Sequence, residues 1–183
     1  MKNVALIIEY IGTNYSGFQR QKNGLSIAEV VENAIEQATG EKSKLIPSGR
    51  TDKGVHALGQ VANFTTGSNI PPDKMAININ LYLPGDIQII KSYEVPLDFN
   101  SRKNAKRKTY LYRMKTGENM SVFDRNRTLF VRGEVDENKM KRACSLIVGT
   151  HDFSAFVASG ATTKTTTRTI YSANLNQEND YLV

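Results

Sequence analysis

Apolar and polar positions in the first half of the chain alternate in a way that predicts helices between strands. Val4–Ile11 is rich in aliphatic side chains, as a first strand should be. From Ser26 to about Thr39 the apolar residues recur at helical spacing, with a capping box completed by Glu29 and a stop at Gly40. The predicted apolar stripe consists of Ile27, Val30, Val31, Ala34, Ile35 and Ala38.

The remainder of this half predicts four more elements. They are a short strand near Ser43–Pro47, a strand at Gln60–Thr66, a helix that starts at residues 71–73 and ends before Pro84, and a strand at Asp86–Val95. The order strand–helix–strand–strand–helix–strand is that of a ferredoxin-like domain. We therefore predict an α+β protein in which residues 1–95 form one ferredoxin-like (RNA-recognition-motif-like) half and residues 96–183 form a second, incomplete half.

The pattern of the second half predicts fewer elements. Strands are expected at Ala105–Lys115, Thr128–Arg132 and Thr169–Leu175, and the Thr-rich stretch 162–169 is expected to be a loop. Asp136 should cap a helix that closes at Gly149. The apolar face of this helix would consist of Met140, Ala143, Cys144, Ile147 and Val148.

Charge and composition narrow the possible partners. The 183 residues carry a formal net charge of +6, and seven Lys or Arg with no acid are concentrated in residues 102–115 around Tyr110 and Tyr112. Such a segment can neutralise phosphates and stack on bases, although a solvated strand face is the plainer interpretation. No apolar run is long enough to cross a membrane. A single cysteine, Cys144, leaves no disulfide within the chain and fits a reducing cytoplasm.

Candidate chemistry is concentrated in residues 48–64, SGRTDKGVHALGQVANF. Arg50 and Asp52 are two residues apart, so in extended backbone they point to the same side. Arg50 can then keep Asp52 ionised, and an ionised carboxylate can act as a nucleophile or a general base. For an arbitrary Arg-x-Asp pair, a salt bridge that stiffens a loop is the commoner outcome.

The string GRTDKGVHALGQV closely resembles the active-site motif of the tRNA pseudouridine synthase A family. Four other stretches are similar to blocks of that family in the same order: YIGTNYSGFQRQ at 10–21, NINLYLPGDI at 78–87, FNSRKNAKRKTYLY at 99–112 and GTHDFSAF at 149–156. The family's later GNGFLYNMVR-like segment has no match. We therefore expect the C-terminal part to be absent, with an exposed sheet edge and low stability, impaired catalysis or completion by another chain.

The resemblance implies isomerisation of uridine to pseudouridine in the anticodon stem-loop of tRNA, at positions of the 38–40 type. No metal or organic cofactor is implied, and the complete protein is expected to be a homodimer. Asp52 falls at the catalytic aspartate; attack at C6, attack at C1′ and deprotonation at C2′ all stay open. Tyr110 falls at the aromatic that stacks on the target base, and Arg50 would pair with Asp52. The target base has to leave its stack.

Other matched positions are expected to contact RNA. They are Gln19, Arg20, Gln21, His56, Arg102, Lys106, Arg107, Lys108 and Arg168. A plain surface role is about equally plausible for Arg20, and for His56 we favour a hydrogen bond that supports the Asp52 loop. His151 and Asp152 lack a third ligand nearby, so a zinc site is not predicted.

Two other classes of function compete with this interpretation. The first is an RNA-binding module without chemistry, although the aromatic string of RNA-recognition motifs is missing. The second is a metal-dependent nuclease or hydrolase, for which no paired carboxylates or His-rich pattern are found. Nucleoside triphosphate binding lacks its G-x-x-x-x-G-K-[ST] string.

Overall fold

A computed structural model describes residues 1–22, 24–157 and 165–183, and the chain divides into two compact units, Met1–Lys108 and Thr109–Val183. The helices and strands of the first unit are β1 (Lys2–Tyr10), α1 (Ile27–Thr39), β2 (Ile46–Pro47), β3 (Ala57–Thr66), α2 (Met75–Asn80), β4 (Ile87–Val95) and the single turn α3 (Ser101–Asn104). From β1 to β4 this is the predicted order of elements.

The first unit is built on a sheet with strand order β2-β3-β1-β4 in which every neighbouring pair is antiparallel. β1 lies inside the sheet, between β3 and β4. Its alternate side chains Val4, Leu6 and Ile8 are fully buried. They belong to one core with the apolar stripe of α1 and with Met75 and Ile79 of α2.

Helix α1 begins and ends where the sequence predicts. The Ser26 hydroxyl accepts a hydrogen bond of 3.2 Å from the Glu29 amide, which satisfies one of the free N–H groups of the first turn. At the other end Gly40 adopts φ 73°, a left-handed conformation, and donates its amide to the Glu36 carbonyl at 2.8 Å.

A pair of buried asparagines attaches residues 96–104 to the first unit. The Asn3 amide donates to the carbonyls of Pro96 and Phe99 at 2.9 and 3.0 Å. Asn63 donates to the Asn3 side chain at 2.9 Å and accepts from the Ser101 amide at the same distance. Because these partners satisfy buried polar groups, the segment after β4 is held against the sheet.

The described part of the second unit contains two separate sheets. Its elements are β5 (Met114–Gly117), β6 (Leu129–Arg132), α4 (Glu137–Ile147), β7 (Gly149–Asp152), β8 (Thr167–Ile170), β9 (Gln177–Glu178) and β10 (Tyr181–Leu182). One sheet has the order β6-β5-β10-β9, with β5 and β6 parallel, and the other is the antiparallel pair β7-β8. The predicted strand near 128–132 and the helix capped by Asp136, which accepts from the Lys139 amide at 3.0 Å, are confirmed.

Burial in the second unit is sparse. Among its described residues only Asp124 and Leu182 are buried, and the predicted apolar face of α4 is half-buried or exposed. The Tyr181 hydroxyl donates to Asp124 at 2.7 Å, and the Lys115 ammonium lies 3.8 Å from the same carboxylate. Polar contacts therefore connect β5 and β10 to the segment before β6.

Two strand predictions in this half are wrong. The strand expected at 105–115 begins only at Met114, and residues 105–113 have no regular secondary structure. All side chains from Arg102 to Arg113 are exposed. Neither face of this segment is buried against another element, so nothing stabilises it as a strand. The strand expected at 169–175 lies instead at Thr167–Ile170, where it pairs with β7. Part of the predicted Thr-rich loop, 162–164, lies outside the described residues.

No helix in the described ranges combines the length and the apolar character needed to cross a membrane.

Candidate active site

Two loops of the first unit hold the candidate site together: the loop between β1 and α1, and residues 48–56, which we call the Asp52 loop. The Phe18 amide donates to the Thr51 carbonyl at 3.1 Å, and the Gly54 amide donates to the Tyr15 carbonyl at 3.3 Å. A third hydrogen bond of 3.0 Å runs from the Gly12 amide to His56 Nδ1. His56 therefore supports the Asp52 loop through its ring, as favoured from the sequence.

Glycines permit this close approach. A Cβ atom at Gly12 would collide with the Val55 carbonyl oxygen, and one at Gly17 would lie 2.6 Å from the Thr51 oxygen. Gly17 also has φ 102°, a conformation that a side chain disfavours. The two glycines thus let the backbones of the two loops touch.

Buried tyrosines support both loops from below. The Tyr10 and Thr51 hydroxyls lie 2.9 Å apart, and Tyr15 donates to the Asp86 carboxylate at 2.6 Å. Burial raises the pKa of Tyr10, an effect that the hydrogen bond with Thr51 partly offsets. Burial, and then the hydrogen bond to Asp86 and its negative charge, raise the pKa of Tyr15. Both phenols therefore stay neutral around pH 7.

A cleft of about 310 Å³ opens over these loops. Its lining residues are Gln19, Arg20, Gln21, Arg50, Thr51 and Asp52. Five of the predicted site residues are thus brought together from two segments that are distant in sequence. The side chain of Asp52 is exposed, and the chain turns directly after it through a 3.2 Å hydrogen bond from the Val55 amide to the Asp52 carbonyl.

The expected ion pair between Arg50 and Asp52 is not present among the described residues, because no contact within 4.0 Å joins them. The two side chains line the same cleft but form no ion pair, and residues 50–52 belong to no strand. The arginine that forms an ion pair is Arg20, which lies 3.0 Å from Glu32.

A larger cleft of about 1260 Å³ adjoins the first. Four of the predicted RNA contacts, Gln19, Arg20, Arg102 and Lys108, line it, and the Lys108 ammonium lies over Gly49. Lys106 and Arg107 lie nearby in the chain and are exposed.

The remaining predicted residues belong to the second unit. Tyr110 is 75% exposed. Arg168 lies on β8 and donates to the Thr165 hydroxyl and the Thr167 carbonyl at 3.0 and 2.7 Å. The His151 ring contacts the Val148 carbonyl at 2.9 Å, and Asp152 accepts from the Ser154 amide at 3.0 Å. Both residues thus make local structural contacts, and the described part of the chain contains no cluster of three potential metal ligands.

Sequence reasoning missed several residues of these clefts. Glu32 lies on α1, where its spacing resembles that of any polar helix position, and only the folded chain brings it to Arg20. Lys42 and Lys44 form a short basic pair between α1 and β2. They were missed because the basic residues at 102–115 are more numerous and closer together. The Lys-Ser-Lys pattern next to a strand edge was the available signal.

Comparisons with known proteins find sequence matches along most of the chain. A sequence profile described as tRNA pseudouridine synthase matches residues 6–102 and 143–183, which include the Asp52 loop. A tRNA pseudouridine synthase A from Acetivibrio thermocellus is 50% identical over 178 residues, covering 97% of this chain and 73% of the relative. A tRNA pseudouridine synthase A 2 from Clostridium tetani is 48% identical over 98% of this chain and 73% of its own.

A tRNA pseudouridine synthase A from Clostridium kluyveri is 44% identical over the whole of this chain and 75% of the relative's length. These matches exceed by far what a shared fold alone would produce, and they confirm the resemblance carried by the Asp52 motif. The chain belongs to the tRNA pseudouridine synthase family.

Proposed function

We propose that this chain isomerises uridine to pseudouridine in tRNA, with Asp52 as the catalytic carboxylate. The observation that carries the proposal is the position of Asp52 among the residues that line the smaller cleft, where it is the single carboxylate beside Arg20 and Arg50. An exposed carboxylate next to cations can approach an anionic substrate that a bare acidic surface would repel.

The reaction is intramolecular and needs no external oxidant or reductant. The bond between N1 of uracil and C1′ of ribose breaks, a bond between C5 and C1′ forms, C5 loses its proton, and N1 gains one. Asp52 acts by adding to C6, by adding to C1′ or by removing the proton at C2′. All three roles require an ionised carboxylate within contact distance of the everted nucleotide.

The other residues of the smaller cleft suit the binding of a nucleotide. Arg20 and Arg50 provide charged donors for phosphate, and Gln19 and Gln21 provide amide groups that can both donate and accept. The hydrogen bonds between the two loops fix the backbone that carries these side chains, which limits the ordering that substrate binding requires.

The proposal includes several finer points. The target uridines lie in the anticodon stem-loop, Tyr110 stacks on the target base, and the enzyme is a cytoplasmic homodimer. The first unit is assigned as a ferredoxin-like half, which its strand order and its antiparallel pairing support. Size-exclusion chromatography with light scattering tests the dimer, and mapping of pseudouridine along the tRNA tests the target position.

Asp52→Asn tests the central claim, because the amide keeps the shape of the side chain but cannot be a nucleophile or a base. We expect the release of tritium from tRNA labelled at C5 of uridine to fall by at least about 10³-fold, while tRNA binding stays within about twofold of wild type. Asp73→Asn is the matched control, since Asp73 is an exposed carboxylate of the same unit that lines neither cleft.

The result also separates the enzyme from the alternative of an RNA-binding module. Tritium release by Asp52→Asn at the wild-type rate would overturn the catalytic assignment. Binding of tRNA by the wild-type chain without any pseudouridine formation would favour the module.

A further inference from the structure

We propose that the larger cleft, which we call the α1–β2 groove, binds the sugar–phosphate backbone of the RNA strand that leaves the smaller cleft. This inference rests on the proposed function, since it identifies a second contact region for the same substrate. The groove lies along α1, β2 and the segment that follows α3. Its charged lining residues are Arg20, Glu32, Glu36, Lys42, Lys44, Arg50, Arg102 and Lys108.

The groove has an excess of positive charge that the protein does not neutralise. Its two acids are already engaged, Glu32 with Arg20 at 3.0 Å and Glu36 with Lys42 at 3.9 Å. Within the described ranges, none of the other four basic side chains has a carboxylate within 4.0 Å. These four are Lys44, Arg50, Arg102 and Lys108. Several unneutralised cations in one groove are typical of a site for a polyanion rather than for a single anion.

The groove is continuous with the candidate catalytic cleft. Gln19, Arg20 and Arg50 line both, so a strand with one nucleotide beside Asp52 enters the groove at its next phosphates. The volume of the groove is about four times that of the smaller cleft, 1260 against 310 Å³. If the smaller cleft holds one nucleotide, the groove has room for more than one.

Glu32 positions Arg20 at the junction between the two clefts. One carboxylate oxygen of Glu32 contacts the Arg20 guanidinium at 3.0 Å, and the other accepts from the Leu45 amide at 3.0 Å. The side chain of Glu32 is 16% exposed and that of Arg20 is 57% exposed. The acid is thus anchored within the unit and uses one guanidinium nitrogen, which leaves other donors of Arg20 for a phosphate.

Lys44 is not among the RNA contacts predicted from the sequence. It is an exposed cation between α1 and β2, distant in sequence from the basic run at 102–115. Lys108 approaches the groove from that run and lies over Gly49. The two lysines come from segments distant in sequence and line the same groove. Together they can contact two phosphates of one strand.

The test is the double variant Lys44→Gln/Lys108→Gln, with unmodified tRNA as the probe and binding measured by fluorescence anisotropy at several salt concentrations. We expect affinity to fall on the order of tenfold at about 0.1 M salt, uniformly across tRNA sequences. The slope of log K against log salt should become shallower by roughly 1.4 to 1.8, since each lost phosphate contact removes about 0.7 to 0.9.

The matched control is Lys74→Gln/Lys91→Gln, which removes the same charge from exposed positions of the first unit that line neither cleft. Its affinity and salt slope should stay close to wild type. Equal effects of the two double variants on affinity, or no effect of either, would contradict the proposal that the α1–β2 groove binds RNA. Tritium release by the wild-type chain is measured separately, so a failure of the proposed catalysis is distinguishable from a failure of this inference.

Discussion

The hydroxyl of Tyr10, at the end of β1, lies 2.9 Å from the hydroxyl of Thr51, next to Asp52. Tyr10 is 2% exposed, so its phenol cannot readily exchange this partner for water. Tyr10→Phe should reduce the free energy of unfolding by about 1 kcal/mol, the usual cost of one buried hydrogen bond. It should also lower turnover, because the Asp52 loop loses one of its supports. Urea denaturation and tritium release measure the two effects.

Tyr93→Phe is the control for this change. Tyr93 is a partly exposed residue of β4, so removal of its hydroxyl should leave stability and turnover near wild type. If Tyr10→Phe matched this control in both assays, the hydrogen bond to Thr51 would have no role in holding the loop.

The two buried tyrosines predict a loss of stability in alkali. Burial raises the pKa of Tyr10 and of Tyr15 in the folded chain, whereas in the unfolded chain both titrate near pH 10. Below pH 10 both states keep their protons, so this contribution is fully present. Above pH 10 the unfolded chain loses protons first, and the free energy of unfolding should fall as the pH rises towards the folded pKa values.

Urea unfolding of wild type and Tyr15→Phe at pH 8, 9, 10 and 11 measures this loss. The variant should be less stable at pH 8, because it lacks the hydrogen bond to Asp86, but should lose less stability between pH 9 and 11. Tyr82→Phe, at an exposed position, should follow the wild-type curve. If the free energy of unfolding of Tyr15→Phe fell with pH in parallel with that of wild type, Tyr15 would not contribute to the loss of stability in alkali.

Substitution of Gly12 should show whether the contact between the two loops requires a residue without a side chain. Gly12→Ala places a methyl group against the Val55 carbonyl, so the two loops have to move apart. We expect a loss of roughly 1–3 kcal/mol in stability, as for other overpacked sites, together with reduced turnover. Gly85→Ala is the matched control, because its new methyl group meets no atom within 4 Å. Equal stability of the two variants would show that the contact between the loops is loose.

The two units should differ in their protection from hydrogen exchange. The first unit has a core of fully buried side chains from β1, α1 and α2, whereas the described part of the second unit buries only Asp124 and Leu182. Amides of β5 and β6 should therefore exchange faster than those of β1 and β3. Exchange followed by mass spectrometry checks this, and equal protection in both units would contradict it.

The ends of the helices were predicted correctly because local interactions specify them. Ser26 and Gly40 determine the ends of α1 through hydrogen bonds within a few residues, and Asp136 does the same for α4. The strand expected at 105–115 depended on partners elsewhere in the chain, which alternation alone does not reveal. Helix caps can therefore be predicted from a few neighbouring residues, whereas this strand could not be predicted without knowing its partner.

The candidate site shows the same division. Arg50 and Asp52 were predicted together because they lie within one motif, and both line the smaller cleft. Their roles in the reaction stay predictions. The ion pair between Arg20 and Glu32 was missed because it joins a loop to a helix that starts only afterwards, and the pair depends on the direction in which that helix leaves the loop. No spacing rule in the sequence encodes that direction.

The interlocking of the loop before α1 with the Asp52 loop has a consequence for protein engineering. Because Gly12 fits against Val55 and Gly17 against Thr51, each backbone is shaped to receive the other. A chimera that takes one loop from a related enzyme and keeps the host's other loop would place two backbones in contact that do not fit each other, next to Asp52. Chimeras between relatives should therefore exchange both segments as one module.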